Sequence, residues 1–536
     1  MSFAFSKEIE NTQMLITLEG RLDGASVREI NKEIVPEIDT KTEIDEIIID
    51  MEKLEYISSA GLRFVLSTQK KLIGRNGNLI VFKPTEDVMD VFKSTGFYEF
   101  LNIVCSDLEK SINEDHHVYP LRPIQRWMMD THFNHVKSTM MNAGGLVRLD
   151  ESINLDILKT AVETVLQDHD IFKCRFVADK DTGEICQRFD GEIGEITIEK
   201  MSDEEFENSK KTLKKIYKLT GSQLWNIRLI RTDSAQYIFV DFYHGILDGV
   251  AIVLLFWREI DKYYKALLGG KTVDELRRIP TSYAAYIREE LSCDDEEKMK
   301  EGIKYWDAMT EGFSKEKHLP PKDSNAESED AEEDFPFDSI DKAFFKDKPF
   351  SEHCFFMGAA MLTMAKVTGE KEVIMSWVHN GRTNGKEFRL MGIMLEQFPI
   401  WWSFSEDEKT NDFLSKLEDK IKEETLHRRS LGTVYDEGVQ INFSCFILQK
   451  GAIGRHGTVS LGGIENQIEE LPQSEESASE SAMDIELNEH EDGTYSLVLD
   501  YDAGLYSYSA MKNFADTMQE IIRKMKENSG ISDILK

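Results

Sequence analysis

From residue 119 to its end the chain passes twice through one order of patterns, and that repetition limits the folds open to it more than any other feature. The first pass has an amphipathic helical stretch at 155–167, strand-like apolar runs near 171–177, 224–230 and 237–242, and a long helical stretch at 249–268. The second has a helix at 352–367, strands near 373–378, 441–447 and 495–501, and a closing helix at 508–525. A helix that buries one stripe and strands that bury a face need each other, so each pass reads as one α/β lobe of about 200 residues. Residues 1–104 alternate on a shorter scale, with strands at 14–18, 44–51 and 79–82 and helices at 26–38, 60–73 and 86–94. This predicts a small mixed, partly parallel sheet with helices packed on it. The expected fold class is therefore α/β throughout, divided as 1–104, a polar linker at 105–117, a first lobe at 118–322, an acidic linker at 323–341 and a second lobe at 342–536.

Charge bears on partners. Lys and Arg number 64 against 99 Asp and Glu, a formal net charge of −35 that repels nucleic-acid phosphates and anionic lipid headgroups. Neither nucleic acid nor membrane is an expected partner. No run reaches the roughly 18 apolar residues of a membrane span, and the first residues carry no signal-peptide pattern. Six cysteines lie scattered without a CxxC pair, which argues against a zinc site or a disulfide framework and for reduced thiols in the cytoplasm. Two blocks lack Lys and Arg altogether: 323–341 with nine carboxylates and 465–492 with eleven. They read as solvated linkers or insertions, the other reading being a dock for a basic partner.

Two motifs carry chemistry. In the first, the strand-like Ile47-Ile48-Ile49-Asp50 leads to Ile57-Ser58-Ser59-Ala60-Gly61-Leu62 at the opening of a helix. Ser59 falls at or next to the N-cap, where a hydroxyl satisfies free N–H groups and where a phosphate would meet the positive end of the helix dipole. It reads either as a plain cap or as a modification site whose charge switches a contact. In the second, Phe242-Tyr243-His244-Gly245-Ile246-Leu247-Asp248-Gly249 joins a strand to a long helix. An imidazole in such a turn projects into a cleft and takes a proton near neutral pH, the alternative being a structural His. Asp248 is expected to hold the loop through a cationic partner, and Gly249 to let the backbone pass closely at the helix start.

Residues 1–104 closely resemble the STAS domain, the fold of bacterial anti-sigma factor antagonists, with 57–62 as the most specific part. The family's phosphorylated hydroxyl stands two before the Gly, which is Ser59 here, and the Asp that often precedes it is Ser58. The resemblance implies a non-catalytic docking module for a partner, commonly a serine kinase.

The region from Tyr119 onward resembles the condensation domain of nonribosomal peptide synthetases and, more broadly, the chloramphenicol acetyltransferase-like acyltransferases. Residues 119–128 match the opening motif, and 169–176 the second motif with Lys173 where Arg is usual. Residues 243–249 match HHxxxDG, with Tyr243 in place of the first His and His244 as the catalytic one. Asn380-Gly381-Arg382, Met391-Gly392-Ile393, Ile441-Asn442-Phe443 and the tail around Asp500-Tyr501 fit the second lobe, while Glu396-Gln397 stands where Asn-Thr is common. The resemblance implies two lobes around a tunnel with His244 at its centre, and a structural Asp248 paired with Arg382. It implies no metal and no bound cofactor, and an acyl donor on pantetheine, either of coenzyme A or of a carrier protein. The function expected is acyl transfer from that thioester to an amine or hydroxyl, with the STAS-like part as a regulatory or docking module. The alternative is a non-catalytic regulatory or scaffold protein whose condensation-like region binds a ligand or partner.

Overall fold

The computed structural model describes residues 3–10, 12–41, 44, 46–73, 77–99, 101–104, 117–136, 138–179, 183–292, 296–310, 319–326, 330–405, 407–432, 444–450, 457–469, 471, 482–490 and 493–536. All but His117 of the linker expected at 105–117 lies outside them, as do Ile441, Asn442 and Phe443.

Residues up to Val104 form a five-stranded sheet. Its first strand, Ala4–Glu10, runs antiparallel to Gln13–Leu22, and Glu46–Ile57, Asn78–Phe82 and Asn102–Val104 follow in parallel. Parallel strands need crossovers, and the helices Gly24–Thr40, Ser59–Ile73 and Glu86–Ser94 supply them. Met14, Ile16, Ile47, Ile49, Leu79 and Val81 face these helices in one core. The residues between them, Leu15, Ile48, Ile80 and Phe82, point the other way and are apolar too. Strands apolar on both faces are strands covered on both faces.

Among the described residues, two six-stranded sheets and a three-stranded one, ordered Tyr119–Pro120, Ile185–Arg188, Arg175–Ala178, form the remainder. The first runs Ile198–Lys200, Trp225–Arg231, Gln236–Tyr243, Asn142–Leu149, Ile464–Glu469, Thr458–Leu461 in spatial order. The helices Leu155–Asp168 and Trp257–Leu268 pack on it around Leu158, Val165, Ile238, Val240 and Ile260. The second runs Asp330–Phe337, Tyr495–Asp502, Met483–Glu489, Ser444–Lys450, Glu372–His379, Glu396–Ser403. Its core gathers Met361, Trp377, Phe398, Leu417, Leu497 and Phe514 beneath the helices Glu352–Thr368, Thr410–Leu426 and Tyr508–Lys526.

Four local expectations change. Both acidic blocks contain strands: Asp330–Phe337 pairs antiparallel with Tyr495–Asp502, and the second block holds Met483–Glu489 and most of Ile464–Glu469. Carboxylates on alternate residues leave the other face free to be apolar, as Phe335, Phe337, Ile485 and Leu487 are. The pair Thr458–Leu461 and Ile464–Glu469 lies within the second lobe's sequence yet extends the first lobe's sheet, Ile468 facing Val147. The strand expected at 171–177 is a 3-10 turn, Asp170–Lys173, then a short strand, Arg175–Ala178, because Asp170 turns its carboxylate onto Ser282 Oγ and the N–H groups of Tyr283 and Ala284. The helix expected over 249–268 opens as a π-helical stretch, Ala251–Phe256.

Candidate functional site

Every residue of Gln236–Tyr243 is buried, and His244 is the first position where the chain leaves the sheet. The turn is fixed from three sides: the His244 N–H donates to Met141 O (2.8 Å), the Ile246 N–H to Tyr243 O (3.0 Å), and Gln125 Nε2 to Gly245 O (2.9 Å). His244 itself is half-buried, with Nδ1 3.0 Å from the carbonyl of Leu247. A carbonyl only accepts, so Nδ1 carries a proton, and in the neutral ring Nε2 holds the lone pair. The other two imidazoles nearby differ. Burial holds His132 below the ordinary His value and pushes His379 down to about 4, and His379 Nδ1 accepts from the Gly381 N–H. Both are neutral packing groups.

Asp248 is fully engaged. Oδ2 accepts from Arg382 Nη1 (2.8 Å), Met394 N–H (2.8 Å) and Leu395 N–H (3.2 Å), while Oδ1 accepts from Ala251 N–H (2.8 Å). Arg382, also buried, donates further to the carbonyls of Asn380, Leu390 and Gly392. The structure thus brings Asp248 and Arg382 together across the lobes, behind the His244 turn. A carboxylate with both oxygens occupied orients its loop and takes no proton from a substrate. Gly249 is not the close approach expected of it: a Cβ there would touch nothing within 4 Å. Tight positions around the site are Gly245, whose Cβ would lie 2.4 Å from the Tyr243 ring, Gly392, whose Cβ would lie 2.2 Å from the Tyr283 ring, and Gly381, at φ +68° with Met394 O 1.6 Å from a Cβ. Tyr243 packs edge-on against His132, Phe176 and Tyr217, so the ring in the first-His position is core.

Gln125 was overlooked by the motif reading although it lies inside the matched stretch; besides Gly245 O it bonds the Gln187 side chain, and its Oε1 accepts from the Arg122 N–H. The buried carboxylate Glu259 was overlooked as well; it bonds His169 Nε2 at 2.7 Å, and His169 Nδ1 lies 2.6 Å from Thr281 Oγ1. Among the described residues no three His, Cys, Asp or Glu side chains converge as metal ligands, and no helix is long and apolar enough to cross a membrane.

In the first domain Ser59 is the first helical residue and is exposed. The capping hydroxyl is that of Ser58, whose Oγ accepts from the Gly61 N–H (3.3 Å) and donates to Leu22 O (3.1 Å).

Residues 115–530 match the Condensation domain family and residues 4–113 the STAS domain family. The chain belongs to the condensation-domain family. Its condensation region is 22% identical over 311 residues to a plipastatin synthase of Bacillus subtilis (strain 168), a match covering 56% of this chain and 12% of that much longer protein. The STAS region is 29% identical over 93 residues to the putative anti-sigma factor antagonist BtrV of Bordetella bronchiseptica, covering 17% of this chain and 78% of that one. Among solved structures, the starter condensation domain of rhizomide synthetase RzmA shares the fold at TM-score 0.62 and 12% identity, covering 77% of this chain and 98% of its own. The X-domain in complex with OxyB, from teicoplanin biosynthesis, does so at TM-score 0.64 and 15% identity, covering 78% and 96%. A variant of the RzmA domain in complex with C8-CoA aligns at TM-score 0.60 and 13% identity, covering 80% and 99%.

Proposed function

We propose that the condensation region transfers an acyl group from a thioester to an amine or hydroxyl, with His244 as general base. The observation that carries this is the Leu247 carbonyl on Nδ1, which leaves Nε2 as the acceptor. Nε2 takes the proton of the acceptor N–H or O–H as its nitrogen or oxygen bonds to the thioester carbonyl carbon. The C–S bond then breaks, and the leaving thiolate recovers the proton from the imidazolium. Asp248 and Arg382 hold the turn, and Gly249 opens the helical segment without a contact of its own.

The donor is read as a phosphopantetheine thioester, on coenzyme A or on a carrier protein. Lys211, Lys214, Lys215 and Lys218 support this, lying in a carboxylate-free segment next to the site: Asn142 Nδ2 donates to Lys215 O, and the Tyr217 ring contacts Tyr243. On a chain of net charge −35 such a segment suits a phosphate. The STAS region is read as a docking module in a cytoplasmic protein, with Ser59 exposed for phosphorylation by a partner serine kinase. A binding role without turnover is the second reading; it is favoured by the burial of Tyr243 and by the likeness to an X-domain solved as a complex with OxyB.

The test is mass spectrometry of the full chain incubated with acyl-coenzyme A and acyl-carrier thioesters plus amines and alcohols. Acylated product that disappears in His244→Ala, with the variant's melting unchanged, is the expected result. Full product yield from His244→Ala removes the assignment.

A further inference from the structure

The STAS sheet buries its second face on the condensation region. Ile48, Ile80 and Val104 pack with Ile279, flanked by Leu15 and Phe82. At the rim Arg277 Nη1 donates to Gln13 Oε1 (3.1 Å) and Nη2 lies 3.5 Å from Glu8 Oε2. Beside this apolar contact sits Glu46, the first residue of Glu46–Ile57 and itself buried. It accepts from Gln13 Nε2, and it lies 3.5 Å from Arg389 Nε and 3.7 Å from Lys262 Nζ, two cations of the condensation region.

Arg389 is 2% exposed and stands between two carboxylates of different domains, with Glu259 3.7 Å away on its other side. Its Nη2 also donates to Ile279 O (2.7 Å), so the residue that seats the STAS sheet and the arginine that meets Glu46 are joined directly. The next residue, Leu390, gives its carbonyl to Arg382, and Arg382 holds Asp248. A buried charge stays put only while its counter-charge does. Burial pushes the Glu46 carboxyl up, but Lys262, Arg389 and Arg258 together bring it below the ordinary carboxylate range. It is ionised at neutral pH.

We propose that the STAS domain is a working part of the acyl-transfer centre, with Glu46 as a positioning residue: it fixes Arg389, thereby the 387–395 segment, and through Arg382 and Asp248 the turn that carries His244. Ser59 lies two residues past Ile57, the far end of the same strand, which spans about 36 Å from Glu46 at ~3.3 Å per residue. A partner at Ser59 therefore meets a domain whose other end is built into the enzyme.

The coupling does not depend on turnover; only its consequence for rate rests on the acyl-transfer reading. The experiment is hydrogen–deuterium exchange on the full chain in wild type, Glu46→Gln and Ile279→Asp, the last altering the contact from the condensation side. In both variants the amides of 387–395 and of 244–249 are expected to exchange about tenfold faster, with 59–73 on the opposite face of the STAS sheet unchanged. Faster exchange confined to the STAS strands, or none, overturns the proposal. Should Glu46→Gln exchange throughout as an unfolded chain does, Ile279→Asp decides by the same criterion. With an active substrate pair, Glu46→Gln lowers kcat at unchanged KM. A wild type without turnover counts against the enzyme reading and leaves the exchange result standing.

Discussion

Replacing Asp248 by Ala removes four hydrogen-bond acceptances at once: one from a guanidinium, two from the N–H groups of Met394 and Leu395, and one from Ala251. The Arg382 side chain is wholly buried, so its charge has no water to turn to. Breaking a buried pair from one side costs about 3–5 kcal/mol. Arg382 keeps the carbonyls of Asn380, Leu390 and Gly392, which places the loss near the lower limit, about 3 kcal/mol, or a melting temperature lower by about 5 °C. Asp248→Asn discriminates further. Its amide oxygen serves the three donors on the Oδ2 side, but Arg382 loses its counter-charge and the NH2 faces the Ala251 N–H, so the loss is smaller than that of Ala only by the hydrogen bonds the oxygen keeps. Scanning calorimetry of the full chain should give the order wild type, Asn, Ala. Asp248→Ala melting within a degree of wild type, or below it by no more than Asn does, would refute the account of a carboxylate that ties the lobes behind the His244 turn.

Ser58→Ala should lower stability by about 0.5–2 kcal/mol through loss of the cap, while Ser59→Ala should be nearly neutral and should abolish any phosphate found by phosphopeptide mass spectrometry; equal melting of both variants, or phosphate at Ser58, goes against this. Glu424, fully buried with Oε2 2.8 Å from Trp377 Nε1, has its carboxyl pushed by burial up to about 8. The folded state therefore keeps a proton that the unfolded state sheds, stability falls as pH rises from 4.5 to about 8, and Glu424→Gln should flatten that slope in urea titrations. A slope unaltered by the substitution would assign it to other groups.

What the sequence made legible follows from the range of each interaction. Periodicity located the strand before His244 and the helix Glu86–Ser94, because side-chain burial repeats locally. The pairing of Asp248 with Arg382 spans 134 positions and came from family likeness; spacing could not supply it. Main-chain partners left no trace: the Leu247 carbonyl that sets the tautomer and the Gly245 carbonyl that engages Gln125 belong to residues with no polar side chain. Composition misled at 330–337 and 483–489, where carboxylates on one face hid the apolar alternation on the other. The run Ile47-Ile48-Ile49 read as a strand, but nothing local named Ile279 as the cover of its second face.

The strands Thr458–Leu461 and Ile464–Glu469 have a consequence for synthesis. Until they emerge, Asn142–Leu149 is the bare margin of an unfinished sheet, its hydrogen-bonding groups open to any passing strand. The ribosome must add more than two hundred residues after Tyr243 before Ile464–Glu469 can dock, a wait of roughly 10–50 s at usual elongation rates. Cutting the chain between the lobes would make that wait permanent, so a separately expressed first lobe should collect in inclusion bodies unless the late hairpin is supplied with it.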